Sequence, residues 1–317
     1  MTIRCLILSL LILLSWRTVH AQVLGFVPPQ EVEVFVVWGM WMDKDDKAFI
    51  SLSDIYPLSD HPDSLAVPDF SNRRVKEEQT ELDHFILTPE YRKRFLSRTN
   101  ISETDEVFIY SYSDSILISF PVSDLNVAAR INMYGADWPY RQVDYMLGFE
   151  IDMKHLKDFD KHFSNTLVCI DQENPFVLNQ LEKVIWKEIL PDEFPTKLLD
   201  GKGNFYYKEE EYETREAYMF ENNHYRFYAQ DLYKDNSRFG KRLLVTDKQT
   251  RERMFQTTYY SGESRSFAPL DNQWTGKLFK NQPQVIFGFS YHSFGCPRIT
   301  FLHPDKEKIN INCDNRH

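Results

Sequence analysis

The chain has 317 residues, of which 42% are apolar and 15% aromatic, and its formal net charge is −10 at pH 7. This much apolar and aromatic surface excludes a disordered chain and is enough for one large core or two smaller ones. The net negative charge argues against binding to nucleic acid or anionic lipid, because phosphates would repel the chain. The low glycine content, 11 residues, argues against collagen-like repeats and dinucleotide-binding loops.

The N-terminus has the pattern of a cleavable export signal. A short segment with one basic residue, Arg4, precedes an apolar run from Cys5 to Trp16, and Ala21 suits the last position before a signal-peptidase cut. The apolar run is shorter than the roughly 18 to 20 residues that span a bilayer, although an uncleaved anchor is the alternative. We therefore predict a signal peptide at 1–21, a mature start near Gln22, no transmembrane segment in the mature chain, and a secreted or periplasmic location.

Periodicity in the first half of the mature chain predicts strands and one helix with a clear start. Glu31–Trp38 and Tyr145–Ile151 alternate between faces as strands do, and residues 106–122 predict a hairpin. Thr88-Pro89-Glu90 is typical of a helix start, with a hydroxyl cap followed by proline at the first helical position. This helix is expected to end near Leu96.

Two further short helices are predicted after the strand that ends at Ile151. Asp152 is expected to cap the first, in which an apolar stripe is formed by Met153, Leu156, Phe159 and Phe163. Asn174-Pro175 is expected to begin the second, whose apolar face would consist of Leu178, Leu181, Ile185 and Ile189. The run Val184-Ile185-Trp186 also fits a strand, so this segment is left open.

A glycine-paired turn at 200–204 predicts a boundary in the chain. It divides the mature chain into a mixed α+β region, 22–200, and a β-rich region, 201–317, with one continuous domain as the alternative. Beyond the turn, short aromatic and β-branched runs alternate with polar turns and predict a β meander. The expected fold class is α+β dominated by antiparallel β-sheet, with short helices in the N-terminal part and the meander in the C-terminal part.

Three cysteines remain after the predicted signal. Cys169 lies in an apolar run and is expected to be a buried free thiol, whereas Cys296 and Cys313 are predicted to form a disulfide. That bond would close a loop of about 17 residues and stabilise the fold by roughly 3 kcal/mol. His292 and His303 lie near the same cysteines, but the spacing matches no usual zinc pattern, so we expect no metal and no cofactor.

One pair of carboxylates, Glu150 and Asp152, has a spacing that could suit acid–base catalysis. Glu150 and Asp152 are two residues apart on a predicted strand, so their Cα atoms would lie roughly 6.6 Å apart. Such a pair can perform general acid–base chemistry on a glycoside. The alternative is a solvent-facing Glu150 beside a helix-capping Asp152. Because serine-hydrolase, metalloprotease and phosphate-loop motifs are missing from the sequence, we lean away from an enzyme.

Aromatic residues supply the predicted ligand-binding site: Trp38, Trp41, Trp138 and Tyr140. Exposed amphipathic rings of this kind stack on sugars, although the alternative is that they fill the core. We expect an exported, non-catalytic binding or envelope-associated protein that recognises a glycan or a protein partner and no nucleic acid. The alternatives are a carboxylate-dependent polysaccharide hydrolase that uses Glu150, and a structural component of an envelope assembly.

Overall fold

The computed structural model is mostly β-sheet. The structure describes residues 32–39, 46–58, 67, 83–132, 140–195, 212–260, 272–289, 295–303, 305–306 and 308–315. All of them belong to the unit Val32–His317. In these ranges no helix is long and apolar enough to cross a membrane.

The described residues form nineteen strands and one α-helix, α1 (Pro89–Thr99). The strands of the first half are β1 (Val34–Phe35), β2 (Trp38–Gly39), β3 (Lys47–Ser51), β4 (His84–Ile86), β5 (Glu106–Ser111), β6 (Ile116–Pro121), β7 (Asn126–Ile131), β8 (Tyr145–Asp152) and β9 (Thr166–Asp171). The remaining strands are β10 (Leu181–Lys183), β11 (Lys187–Ile189), β12 (Glu213–Glu221), β13 (Tyr225–Lys234), β14 (Ser237–Asp247), β15 (Arg253–Tyr260), β16 (Trp274–Gly276), β17 (Val285–Phe287), β18 (Arg298–Phe301) and β19 (Ile309–Asn312).

The strands are arranged in three curled sheets. The nine-stranded sheet has the order β10-β16-β17-β18-β19-β1-β9-β5-β6, the β8 sheet has the order β2-β3-β8-β7-β4, and the meander has the order β11-β12-β13-β14-β15. The pairing is antiparallel except between β1 and β19, which run parallel. The nine-stranded sheet takes strands from both sides of the predicted boundary, which itself lies outside the described residues.

The main core lies where the nine-stranded sheet faces the β8 sheet. Ile109 and Val168 from the first sheet pack with Leu147 and Phe149 from the second, and Phe95 of α1 joins them. The opposite face of β5 and β9 contributes to a second apolar cluster with β17, β18 and β19. Because apolar residues cover both faces of these central strands, β5 and β9 are nearly continuous hydrophobic runs.

The predicted helix start and hairpin are both confirmed. The hydroxyl of Thr88 accepts a hydrogen bond from the Tyr91 backbone N–H, Pro89 is the first residue of α1, and the left-handed Asn100 (φ 56°) ends the helix. The hairpin pairs Glu106 with Pro121 at its open end and Ser111 with Ile116 next to the turn.

The helix predicted after Asp152 is wrong, and a series of turns takes its place. A 3-10 turn at Met153–His155 is followed by backbone hydrogen bonds from Phe159 to Leu156 and from Phe163 to Asp160. Each turn advances the chain by three or four residues, so Leu156, Phe159 and Phe163 still reach the main core. The helical spacing of apolar residues was therefore produced by consecutive tight turns.

The helix predicted after Asn174 is also wrong. The Asn174 side chain accepts a hydrogen bond from the Phe176 backbone N–H and donates one to the Phe176 carbonyl. These bonds make a local turn instead of a helix start. The chain then forms β10 and β11, which belong to two different sheets. β10 pairs with β16 and β11 pairs with β12, so other strands supply the backbone hydrogen-bond partners that a helix would supply within itself. This tertiary pairing outweighs the helical spacing of the apolar residues.

The C-terminal segment is held by a disulfide and by buried hydrogen bonds. Cys296 and Cys313 are joined, with their Cα atoms 5.5 Å apart, while Cys169 is free and buried as predicted. The next residue, Asp314, accepts a hydrogen bond from the Ser51 hydroxyl (2.7 Å), and its backbone N–H donates to the Asp54 carboxylate (2.7 Å). These contacts fasten the end of β19 to the end of β3.

Candidate functional site

The β8 sheet has one face in the main core and an outer face that carries the candidate site. The core side of β8 consists of Tyr145, Leu147, Phe149 and Ile151. The outer side consists of Met146, Gly148 and Glu150, and Met146 packs with Phe49 and Ala128. This confirms the predicted alternation along the strand and places Glu150 away from the main core.

Strand register brings two separately predicted residues into one row of the outer face. Trp38 is opposite Phe49, Phe49 is opposite Glu150, and Glu150 is opposite Asn126. Two strand spacings separate the Cα atoms of Trp38 and Glu150, a distance of roughly 10 Å. The row formed by Met146, Arg130 and His84 lies on the same face.

Glu150 is the centre of a buried ion-pair cluster. Its Oε1 accepts hydrogen bonds from Arg130 Nε (2.8 Å) and Nη2 (2.6 Å), and His84 Nε2 lies 2.7 Å from the same oxygen. The side chains of Glu150 and Arg130 are each 4% exposed, whereas that of His84 is 36% exposed. The alternative of a solvent-facing Glu150 is therefore wrong, because its carboxylate is buried against the guanidinium of Arg130 and the imidazole of His84.

The cluster keeps Glu150 ionised. Burial by itself would raise the pKa of Glu150, but the hydrogen bond from His84 and the charge of Arg130 outweigh burial and lower the pKa. A glycosidase general acid needs the opposite shift, since it must hold its proton near neutral pH. The environment of Glu150 thus disfavours a role as proton donor.

Asp152 is held ionised by a different set of contacts. Its carboxylate lies 2.5 Å from Lys47 Nζ and 2.8 Å from Lys154 Nζ, and these hydrogen bonds lower its pKa to about 2. Its side chain makes no capping hydrogen bond to the turn that follows, so the predicted capping role is also wrong. Glu150 and Asp152 are two ionised carboxylates, and neither has the raised pKa of an acid catalyst.

The two predicted aromatic residues that the structure describes, Trp38 and Tyr140, do not form an exposed platform. The Trp38 ring is half-buried beside Phe49 and Met146, and its indole N–H has no hydrogen-bond partner among the described residues. Tyr140 is buried, with its ring centroid 6.2 Å from that of Tyr145, so it offers no surface for stacking. Trp41 and Trp138 lie outside the described residues. Of the described pair, Trp38 is thus the residue that shares a cross-strand row with Glu150, with Phe49 between them.

Sequence reasoning missed Arg130 and His84, although one signal was present. Arg130 follows Val127-Ala128-Ala129, a strand of small and apolar residues, and a charge in such a strand needs a buried partner. The meander contains a second missed cluster, in which the buried Asp231 pairs with Lys241 (2.9 Å) and Arg238 (3.0 Å). In each cluster the acid and its basic partners lie on different strands, so their proximity depends on strand pairing and not on spacing along the chain.

Gly148 allows β3 and β8 to approach each other within the site. A Cβ atom at position 148 would lie 1.8 Å from the Ile50 carbonyl oxygen and 2.8 Å from its carbonyl carbon. Because backbone atoms cannot rotate away, we expect Gly148→Ala to lower the free energy of unfolding by about 1–3 kcal/mol or more in urea titrations. Gly39→Ala is the matched control in the same sheet, since its nearest contact would be 3.3 Å. Equal stability of the two variants would contradict this account.

The described residues contain no group of three or more His, Cys, Asp or Glu side chains arranged to hold a metal ion. Besides its apolar residues, the outer face of the β8 sheet carries a half-buried tryptophan, a buried ion-pair cluster and an exposed asparagine, Asn126. Comparison of the chain with models of protein families, with curated proteins and with solved structures found no match in any of the three.

Proposed function

We propose that this protein is an exported, non-catalytic binding protein that recognises a glycan at the outer face of the β8 sheet. The observation that carries the proposal is the position of Trp38, whose half-buried ring shares a row with Glu150 and Asn126. A tryptophan of this kind offers an apolar ring for the C–H face of a sugar. Polar groups at a short distance then select among hydroxyl patterns.

The surrounding polar groups are suited to hydrogen bonding with hydroxyls. Asn126 is exposed, and His84 is about one-third exposed beside its carboxylate partner. Lys47 and Asp152 lie at the next position along the strands and are both partly exposed. Fixed donors and acceptors of this type hold a ligand in one orientation without costly rearrangement.

A binding role is favoured over hydrolysis by the ionisation of the two carboxylates. The pKa of Glu150 and that of Asp152 are both lowered. A polysaccharide hydrolase that used this pair would lack a proton donor near neutral pH. For the same reason we do not extend the hydrolase hypothesis to this site.

Export is supported by two features. The N-terminal segment fits a cleavable signal, and the Cys296–Cys313 disulfide is of the kind that persists in oxidising compartments. The acidic net charge suits a partner without phosphates.

Affinity electrophoresis on a panel of polysaccharides tests the proposal. We expect one polysaccharide to retard the wild-type protein, Trp38→Ala to lose most of the retardation, and Trp38→Phe to keep part of it, since phenylalanine retains a stacking ring. Trp186→Ala is the matched control, because Trp186 is also half-buried but packs on Phe289 near the meander. Released reducing sugar is assayed in parallel. Retardation unaffected by Trp38→Ala, or sugar release that depends on Glu150, would overturn the proposal.

A further inference from the structure

The strand that carries Trp38 has few backbone pairs of its own. β2 consists of Trp38 and Gly39, which lie opposite Phe49 and Ala48 of β3. It is the last strand at one side of the β8 sheet, so β3 is its one neighbour among the described strands. A two-residue edge strand forms too few hydrogen bonds to fix its own position. The position of Trp38 therefore depends on the segments around β2.

The end of β19 contacts the segment that leads into β2. β19 runs parallel to β1, and the Val36 backbone N–H donates a hydrogen bond to the Asn312 carbonyl (3.3 Å). Val36 is two residues before Trp38 along the chain. This contact holds the approach to β2 beside the C-terminal strand.

The residue that follows the disulfide contacts the partner strand of β2. The Asp314 carboxylate accepts a hydrogen bond from the Ser51 hydroxyl (2.7 Å), and the Asp314 backbone N–H donates one to the Asp54 carboxylate (2.7 Å). Ser51 is the last residue of β3 and lies two residues after Phe49, which faces Trp38. Asp314 and Ser51 are 3% and 4% exposed, so water competes little for their hydrogen bond.

The register of β2 and β3 shows that these contacts converge. Because Trp38 is opposite Phe49 in an antiparallel pair, the same register continued by two residues would set Val36 opposite Ser51. Asn312 binds the first of these two positions, and Asp314 binds the second. Residues 312–314 thus contact both sides of the β2–β3 pair, two residues from Trp38.

We propose that Asp314 is a positioning residue for Trp38, because residues 312–314 act as a C-terminal clamp that holds β2 against β3. This role rests on the glycan site proposed above at Trp38, whose ring the C-terminal clamp keeps in place. The Cys296–Cys313 disulfide, immediately before Asp314, restrains the clamp covalently. A ligand then meets a ring that is already fixed, so binding loses less conformational entropy.

Hydrogen exchange followed by mass spectrometry, with no ligand present, tests the C-terminal clamp. We expect Asp314→Ala to speed the exchange of the amides at 36–39 at least about tenfold more than that of the β7 amides, because local opening becomes easier. Asp314→Asn should restore slow exchange, since its amide oxygen still accepts from the Ser51 hydroxyl. Asp305→Ala, in the exposed turn between β18 and β19, is the matched control and should exchange like the wild type.

Ser51→Ala removes the other partner of the same hydrogen bond and serves if Asp314→Ala fails to fold. The same local increase in exchange at 36–39 is expected. Equal acceleration at 36–39 and in β7 would overturn the C-terminal clamp, because it would reveal a global loss of stability alone. Unchanged exchange at 36–39 in both variants would overturn it as well.

Affinity electrophoresis separates the C-terminal clamp from the glycan site itself. With a polysaccharide that retards the wild type, Asp314→Ala should lose most of the retardation, and Asp314→Asn should keep it. Wild-type retardation in Asp314→Ala would overturn the positioning role of Asp314. A wild type that no polysaccharide retards would overturn the glycan site, whereas the exchange at 36–39 would still decide whether the clamp holds β2.

Discussion

Glu150→Gln is expected to lower the free energy of unfolding by about 3–5 kcal/mol, the largest effect among single substitutions at the candidate site. Glutamine keeps the size and shape of the side chain but leaves the guanidinium of Arg130 buried without a neutralising charge. Uncompensated buried charge is costly because the protein interior solvates it poorly. Urea denaturation followed by circular dichroism measures the change.

Asp152→Asn is the matched control for this prediction. Asp152 is also an ion-paired carboxylate, two residues further along β8, but its side chain is 32% exposed. Water and salt screen such exposed ion pairs, so we expect Asp152→Asn to lower the free energy of unfolding by less than about 1 kcal/mol. Similar losses for the two variants would show that burial is not what distinguishes these carboxylates.

The pH dependence of stability gives a second readout for Glu150. Its folded pKa is lowered, so its ionic contribution is fully present above the unfolded pKa of about 4.3 and is lost as the pH falls through the folded pKa. We therefore expect the wild type to lose stability below about pH 4.3 more steeply than Glu150→Gln does. Parallel profiles for the two proteins would contradict a stabilising ion pair between Glu150 and Arg130.

Replacing both Cys296 and Cys313 by serine is expected to lower the free energy of unfolding by about 3 kcal/mol. The bond joins residues separated by 17 positions, and its loss increases the number of conformations open to the unfolded chain. It also releases Asp314 from the position in which it binds Ser51. Urea midpoints of the oxidised wild type and the double variant provide the measurement.

Reduction of the wild type controls for the disulfide prediction. A reductant should shift the wild-type midpoint toward that of the double variant and leave the double variant unchanged. Since Cys169 is free and buried, it contributes nothing to this shift. A wild type that is insensitive to reductant would show that the bond does not limit unfolding.

Local structure was predictable where neighbouring residues supply both the signal and the partner. At the start of α1, the capping hydroxyl of Thr88 and the N–H of Tyr91 that donates to it are only three residues apart. The hairpin of β5 and β6 is likewise closed by a short turn. The turns at 153–166 show the limit of this reasoning. A periodicity of three to four residues records which residues are buried, and both a helix and consecutive turns produce it.

The site was predictable in part. The sequence singled out Trp38, Glu150 and Asp152, but a period-two pattern does not reveal what covers the second face of a strand. Arg130 and His84 reach Glu150 because β7 and β4 lie beside β8 in that order. Because of this strand order, Glu150 is buried and ionised and does not face solvent.

Strand alternation and helix capping act between near neighbours, so the sequence predicted a β-rich fold and the start of α1 at Pro89. The same local reasoning placed the end of α1 three residues too early and added two helices that the structure replaces with turns and short strands. Three features could not be predicted from local patterns: the parallel pairing of β1 with β19, the division of residues 181–189 between two sheets, and the ionisation of Glu150. Each of these depends on which distant segments become neighbours. The free energy of burying and pairing them is set by the assembled sheets and not by any local pattern.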